Sequence, residues 1–494
     1  MIFNLSFESG TPVYIQIKKH IERLVREGIL KPGIKLPSTR ELARSLGVSR
    51  NTVVQAYSLL EAEEIVQSTT GRGTYIKSGI YEDKALKTKL PWEGLEQFDF
   101  DVFLSSSWRR ISERVGYDYN VFLSSEKNAS YNFFNPEECN EHSFPIEDFR
   151  YSLSAAIKRY KYSLLSANSA RGFPPLVERI TIMMRGRGIE ATEENIIITS
   201  GIQQGLSLIA HLFLDPGDTV VLERFTYPGA LNVFRSVKAE CIGVPVDIDG
   251  INLDILENVF KRRNPKLFYC IPTFHNPIGY LLPENQRRAL VDLCSRYRVI
   301  LIEDDYAHEL YFDGQEPLPI KSIDDVGCVI YMGSFSETIF PGIRISWIVA
   351  PSKIIKKISV LKKSTDLYTN LILQGALVEF IKNGYFYRYI KKKVKILRKL
   401  YTTLYNAMMR YFPDYVKFSR IKGGMFQWVE LPENLDSLEL LFDSRNMGVL
   451  FAPDRLFLAD EWQKSGFRLS FFGLCESEIW KGIELLGSVI KKNF

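Results

Sequence analysis

Along residues 131–494, short continuous apolar runs alternate with stretches of helical period. The runs include Ile196-Ile-Ile-Thr, Thr219-Val-Val-Leu, Leu267-Phe-Tyr-Cys-Ile, Val299-Ile-Leu-Ile and Val329-Ile-Tyr. Strands that are apolar at consecutive positions bury both faces, and strands separated by helices imply a mostly parallel sheet covered on both sides. The pattern predicts an α/β domain whose ligand lies in the loops beyond the carboxyl ends of the strands.

The first 78 residues read differently. Residues 12–30 place Ile15, Ile17, Ile21, Leu24 and Val25 at mostly helical spacing, with Gly28 as a stop. After the turn-rich Lys31–Pro37, Ser38 followed by Glu41 predicts a capping box, with Leu42, Ala43 and Leu46 on one helix face. Gly47 breaks that helix and Ser49 caps the next, where Val53, Val54, Tyr57, Leu59 and Leu60 form the expected buried side. Two short helices across a glycine turn predict a helix-turn-helix. The runs 65–69 and 73–77 around Thr70-Gly-Arg-Gly predict a hairpin wing. Residues 79–130, rich in Pro, Gly, Asp, Ser and Lys, predict a linker, with Phe103, Leu104 and Trp108 as candidates for packing on the large domain.

Charge sharpens this division. The chain has 494 residues and a net charge of +5, and residues 1–78 hold eleven Lys and Arg against seven Glu and no Asp. Most of the excess therefore lies in the first module, which predicts an anionic partner there. No run of about 18 apolar residues predicts a membrane span, and no leader pattern is evident. The six cysteines form no C-x-x-C, so reduced thiols and a cytoplasmic location are expected, with no metal site. The run Lys391-Lys-Lys-Val-Lys, with Ile390, Val394, Leu397 and Leu400 interleaved, predicts a solvated basic helix face.

Recognition helices meet the major groove with their N-terminal residues, here Ser49, Arg50, Asn51 and Thr52. Arg reads guanine, Asn reads adenine, and hydroxyls hold phosphates. With Ser38, Arg40, Arg72 and Gly73 they make up the candidate DNA-contacting set. The strings Leu-Pro-Ser-Thr-Arg-Glu-Leu-Ala, Val-Ser-Arg-Asn-Thr-Val and Gly-Arg-Gly-Thr-Tyr-Ile closely resemble the GntR-type winged helix.

In the large domain the distinctive residues fall on predicted loops. Ser200-Gly-Ile-Gln-Gln opens a helix where Gly201 permits close approach of a phosphate. Tyr227 in Thr-Tyr-Pro-Gly offers a ring for stacking, Asn276 in His-Asn-Pro-Ile-Gly a donor, and Ile302-Glu-Asp-Asp-Tyr a carboxylate for a ring nitrogen. In Tyr331–Arg344, two hydroxyls (Ser334, Ser336), a Pro-Gly turn and Arg344 form a phosphate site.

These motifs resemble, in order, those of fold-type I pyridoxal-phosphate aminotransferases. The resemblance implies that Tyr227 stacks on the cofactor ring and that Asn276 and Tyr306 contact its hydroxyl. It also implies that Asp304 partners the ring nitrogen and that Gly201, Ser334, Ser336 and Arg344 hold the phosphate. Arg468, in Gly-Phe-Arg-Leu-Ser-Phe, matches the arginine that binds a substrate carboxylate. Where that family has its Schiff-base lysine, this chain has Glu337, which has no nucleophilic nitrogen. Leu176-Val177 and Ile278 also depart from the family pattern.

A GntR winged helix (1–78), a linker (79–130) and an aminotransferase-like domain (131–494) together resemble the MocR/GabR type of regulator. The resemblance implies a winged helix-turn-helix joined to a fold-type I domain, with a mostly parallel sheet and a smaller C-terminal α+β part. It also implies a homodimer, a double-stranded DNA operator, and a small-molecule effector. That effector would be pyridoxal 5'-phosphate or its adduct with an amine, held without a Schiff-base lysine. The alternative is a pyridoxal-phosphate-dependent aminotransferase, for which Glu337 leaves no catalytic lysine.

Overall fold

A computed structural model describes residues 11–26, 30–31, 33–63, 65–69, 73–77, 105, 130–134, 144–166, 169–460 and 465–494. They fall into two compact units, one within residues 1–104 and the other within 105–494. Nearly all of the expected linker, with Phe103, Leu104 and Trp108, lies outside the described residues, as do Gly28 and Arg72.

In the first unit, α1 (Val13–Arg26), α2 (Thr39–Leu46) and α3 (Arg50–Ala62) precede β1 (Val66–Thr69) and β2 (Gly73–Ile76). The α2 start is the expected capping box: the Glu41 amide donates to Ser38 Oγ at 3.2 Å and the Ser38 amide to Glu41 Oε2 at 2.8 Å. The α2 helix ends at Gly47 with φ 66°, a left-handed conformation that suits glycine. Strands β1 and β2 pair antiparallel, giving the wing. Ile17, Ile21, Leu24 and Val25 of α1 meet Leu42, Ala43, Val53, Ala56, Tyr57 and Leu60 in one small core. Val54, expected inside, is 39% exposed. It follows Val53 directly, and adjacent helix positions face about 100° apart, so Val53 alone takes the core position.

The second unit is built on a seven-stranded sheet of β3 (Ile196–Thr199), β4 (Thr219–Glu223), β5 (Glu240–Val244), β6 (Leu267–Cys270), β7 (Ile300–Asp305), β8 (Val329–Ser334) and β9 (Ser346–Val349). Their order is β3-β9-β8-β7-β6-β4-β5. Every neighbouring pair is parallel except those of β9, which runs against β8 and β3. The period-2 alternation explains the continuous apolar runs. Ile197, Val220, Leu222, Tyr269, Ile302, Ile330, Met332 and Ile348 join one core. Their neighbours Ile196, Ile198, Tyr331 and Trp347, or Val221, Phe268, Leu301 and Val329, join cores on the other face. A three-stranded antiparallel sheet, β10 (Phe426–Glu430), β12 (Gly466–Ser470) and β11 (Ala452–Pro453), forms the smaller C-terminal part.

The basic run lies on a long helix, Tyr385–Tyr411. Lys391, Lys392 and Lys395 are exposed as expected. Lys393 is not: it is 3% exposed and turns inward. Its Nζ donates to the Glu337 carbonyl at 2.5 Å and lies 4.4 Å from the Phe472 ring centroid. Backbone carbonyls and an aromatic face supply the polar partners a buried ammonium needs.

Candidate functional site

The first unit presents the residues of a groove reader. Ser38, Arg40, Ser49, Arg50 and Asn51 are exposed at the starts of α2 and α3, and Thr52 is half-buried. Ser49 Oγ accepts from the Thr52 amide at 3.2 Å, so one of the predicted contacts also caps the helix. In the wing, Gly73 has φ 112°, and a Cβ there would meet Lys35 Cε at 2.6 Å. Lys35, exposed beside the wing and over the Tyr75 ring, is a basic residue that the motif reading passed over. Its signal was the pairing of residue 35 with strand β2, which is invisible before folding.

In the second unit the predicted pocket residues converge from the strand ends. Gly201, φ 92°, opens the helix Ile202–Phe213 directly after β3. A Cβ on Gly201 would collide with the Arg344 guanidinium. Arg344 itself has φ 48°, a left-handed backbone costing roughly 1–2 kcal/mol in a residue with a Cβ. That strain places a cation against free helix-terminal amides, an arrangement for an anion. Beside it, Ser346 Oγ donates to Ser334 Oγ at 2.8 Å, and Ser334 Oγ accepts from the Ser336 amide at 3.0 Å. Ser336 Oγ is buried and has no hydrogen-bond partner among the described residues. Behind the loop, buried Lys362 bridges to Asp366 at 2.6 Å, and Asp366 is also within 3.4 Å of Ser200 Oγ.

Asp304, at the end of β7, is 2% exposed. Its Oδ2 accepts from the Tyr269 hydroxyl at 2.7 Å, while Oδ1 is buried with no hydrogen-bond partner among the described residues. Burial pushes its pKa up to about 7, and the charges of Asp305, Glu223 and Glu337 add to the effect against the Tyr269 hydrogen bond. A raised carboxyl pKa means that the ligand-free fold prefers the proton, so stability falls as pH rises from the unfolded value of about 4 to about 7. Asp304→Asn is therefore expected to raise the melting temperature of the ligand-free protein at pH 8 and to leave it unchanged at pH 4. Thermal melts at the two pH values check this.

The adjacent carboxylates serve other ends, because neighbouring strand residues face opposite ways. Glu303 accepts from the Ile320 and Lys321 amides at 2.7 and 2.8 Å. Asp305 accepts from the Tyr331 hydroxyl at 3.0 Å and bonds His308 Nδ1 at 2.6 Å, while His308 Nε2 lies 2.8 Å from Glu316. Arg187 closes this cluster on Tyr331 and Glu309.

Asn276 Oδ1 accepts from Arg468 Nη1 at 2.9 Å, and Arg468 Nη2 donates to the Phe134 carbonyl at 2.9 Å. Arg468 is 8% exposed, stacks 4.2 Å from the Phe426 centroid, and has Nε buried without a hydrogen-bond partner. Burial pushes its pKa down to about 10, opposed by the charges of Tyr306 and Glu337. Tyr306 donates to the Phe274 carbonyl at 2.8 Å. The Tyr227 ring folds over Gly229, which also accepts from Gln203 on the helix that Gly201 opens. Beneath Asn276, Glu223 accepts from the Ile271 amide at 2.9 Å, from Tyr280, and lies 3.0 Å from His275 Nε2.

Glu337 is half-buried on the loop after β8. Its charge acts on Asp304, Tyr306 and Arg468, so all four share one electrostatic neighbourhood. Tyr269, Ser346, Lys362 and Lys393 support the site but were not found by motif. Each is one residue in an apolar or basic run, and only the fold aims it.

The family model for "Aminotransferase class I and II" matches residues 162–481, and that for "Bacterial regulatory proteins, gntR family" matches residues 13–76. The chain is 35% identical over 356 residues to the aromatic-amino-acid aminotransferase 1 of Thermococcus litoralis, covering 71% of this chain and 85% of that one. It is 27% identical over 489 residues to the probable rhizopine catabolism regulatory protein MocR of Rhizobium meliloti, covering 98% and 95% of the two chains. The solved structure of Pyrococcus horikoshii kynurenine aminotransferase, in complex with PMP, superposes with a TM-score of 0.76 at 33% identity, over 80% of this chain and 98% of that one. The chain belongs to the aminotransferase class I and II family, in the MocR-type arrangement that sets a gntR-family DNA-binding domain ahead of the aminotransferase-like one.

Proposed function

We propose that this chain is a transcriptional regulator that binds a two-part DNA operator as a homodimer in the cytoplasm. Its aminotransferase-like domain senses a small molecule through a pyridoxal phosphate site with no covalent anchor. One observation carries the reading: a winged helix with an exposed Arg50 and Asn51 shares a chain with an aminotransferase class I and II domain that has Glu337 at the motif position of the lysine.

Pyridoxal phosphate is the cofactor of this family, and the residues fit it. The buried, unpaired Oδ1 of Asp304 suits a protonated ring nitrogen, and the cradle of Gly201, Ser334, Ser336 and Arg344 suits a phosphate. Tyr227 would cover the ring, Asn276 and Tyr306 would lie at its hydroxyl, and Arg468 would take a carboxylate of an attached amine. When bound, the group supplies an electron-withdrawing ring and a reactive carbonyl. The protein's own part is to hold the ring nitrogen charged through Asp304, to exclude water, and to grip the phosphate. Nothing at position 337 can replace a lysine as covalent holder or proton carrier. Lys393, the buried amine beside that loop, is engaged with the Glu337 and Thr338 carbonyls.

Binding of the ligand would shift the equilibrium between geometries that differ in operator affinity. The test begins with selection of sequences bound by the full-length chain from a random duplex pool. The expected outcome is an enriched two-part site whose affinity changes when pyridoxal phosphate is added. No enrichment would remove the DNA-binding reading, and enrichment without a ligand effect would remove the sensing. Within the enriched site, Arg50→Ala is expected to weaken binding by about 1–3 kcal/mol if Arg50 reads a base. Unchanged affinity in a gel-shift titration at fixed salt would remove that role.

A further inference from the structure

We propose that Lys35, which lies outside the helix-turn-helix itself, carries a contact between the wing and the DNA backbone. Its ammonium is delivered along the outer face of the hairpin to the tip end, where it neutralises a phosphate. The inference rests on the DNA-binding reading proposed above.

The backbone fixes where Lys35 starts. Residues 33–36 run beside β2 as a short third strand of the wing. The Gly33 amide donates to the Ile76 carbonyl at 2.9 Å, the Ile76 amide to the Ile34 carbonyl at 2.9 Å, and the Leu36 amide to the Thr74 carbonyl at 2.8 Å. Lys35 is thereby paired antiparallel with Tyr75. The same segment is tied to the recognition helix, because the Tyr57 hydroxyl of α3 donates to the Pro37 carbonyl at 2.9 Å.

Strand alternation then sets the side chain's direction. Leu36 and Ile76 turn into the small core, so Lys35 and Tyr75 turn the other way, and Lys35 is exposed. Residues two apart on the facing strand share that outer face, within reach of a long side chain on the diagonal. Lys35 takes the diagonal from Tyr75 to Gly73. Its Nζ lies 5.8 Å from the Tyr75 ring centroid, and a Cβ on Gly73 would meet its Cε at 2.6 Å and its Nζ at 3.3 Å. Gly73 pairs with Thr69 in the last pair before the hairpin turns, so the charge arrives at the tip end of the wing.

That charge is available. Among the described residues no carboxylate forms an ion pair with Lys35, whereas Lys18 of the same unit is held by Glu22 at 3.1 Å and Glu63 at 2.7 Å. An ammonium on a long stem is a point charge suited to a phosphate oxygen, and backbone contacts of this kind fix the register in which a recognition helix meets its bases.

The test is a gel-shift titration of the full-length protein, over a range of salt concentrations, on the duplex enriched above and on an unrelated duplex of equal length. Lys35→Met keeps an unbranched stem over Tyr75 and removes the charge. It is expected to weaken binding to both duplexes by the same factor. It should also flatten the dependence of log affinity on log salt by about 0.9 per protomer, or about 1.8 for a homodimer. The advantage of the parent over the variant should therefore shrink about tenfold between about 50 and 200 mM salt. Lys35→Arg should keep the slope of the parent. Weaker binding with an unchanged slope would make Lys35 a structural residue and overturn the inference. So would a loss confined to the enriched duplex, which would make it a reader of bases. Unchanged binding by Lys35→Met would overturn it and leave the DNA-binding reading standing. Failure of the parent to bind either duplex would overturn both.

Discussion

A Glu337→Lys variant incubated with pyridoxal 5'-phosphate is expected to gain a visible absorption band that survives gel filtration. Borohydride should bleach it and leave the cofactor mass on residue 337. The parent protein should do neither. The argument is local. The loop that carries residue 337 is held by Ser334 and Lys393, and the new side chain takes the motif position of the family's lysine. The substitution also removes the Glu337 carboxylate, one of the charges that raise the Asp304 pKa, so Asp304 should ionise more readily and pair with a protonated ring nitrogen. The contact of Gly201 with the Arg344 guanidinium, proposed above as the phosphate cradle, is untouched. A folded variant that binds the cofactor yet shows no band would mean that residue 337 does not face the ring substituent.

Arg187→Met is expected to destabilise the large domain by about 3–5 kcal/mol, seen as a lower denaturant midpoint, because it breaks a buried ion pair from one side. Arg187 is 6% exposed, donates to Tyr331 Oη at 2.7 Å, and pairs with Glu309. Burial works against its charge, but Tyr331, Glu309 and Asp305 hold its pKa above the ordinary value. Without it, Glu309 is left uncompensated in a half-dry site, and Tyr331 loses the group that orders it against Asp305. His308 can stand in for the arginine's charge only while it is protonated. Although burial and Arg187 oppose its proton, Asp305 and Glu316 raise its pKa above the usual value. Its stabilising contribution is therefore full at low pH and is lost as pH rises through the raised value. The midpoint loss on Arg187→Met should accordingly be larger at pH 8 than at pH 6. As a contrast, Arg150→Met removes an exposed pair with Glu147, 2.6 Å apart, and should leave the midpoint unchanged. Equal effects of the two substitutions would contradict the assignment of the buried cluster.

The winged helix was legible in the sequence because its signals are local. Ser38 with Glu41, Gly47 and Ser49 state the cap, the break and the next cap within twelve residues, and the structure places each there. The sheet was legible for a similar reason: five apolar runs marked five of its seven strands. Glu240–Val244 and Ser346–Val349 went unremarked. The first is an edge strand with an exposed start, and the second is interrupted by the polar Ser346, so neither reads as a plain apolar run. What the sequence withheld were long-range pairings. Tyr269 sits in an apolar strand, and only its register beside β7 makes it the partner of Asp304. Lys393 looked like one more cation on a basic face, yet helical phase turns it inward. Arg468 was found by motif, but its engagement with Asn276 across 192 residues was not.

The grip of Lys393 on the Glu337 carbonyl has an evolutionary consequence. It anchors that segment through the peptide unit, which every amino acid shares, so this anchor does not depend on which side chain stands at 337. A lineage could exchange amine for acid there and keep the same main-chain tether.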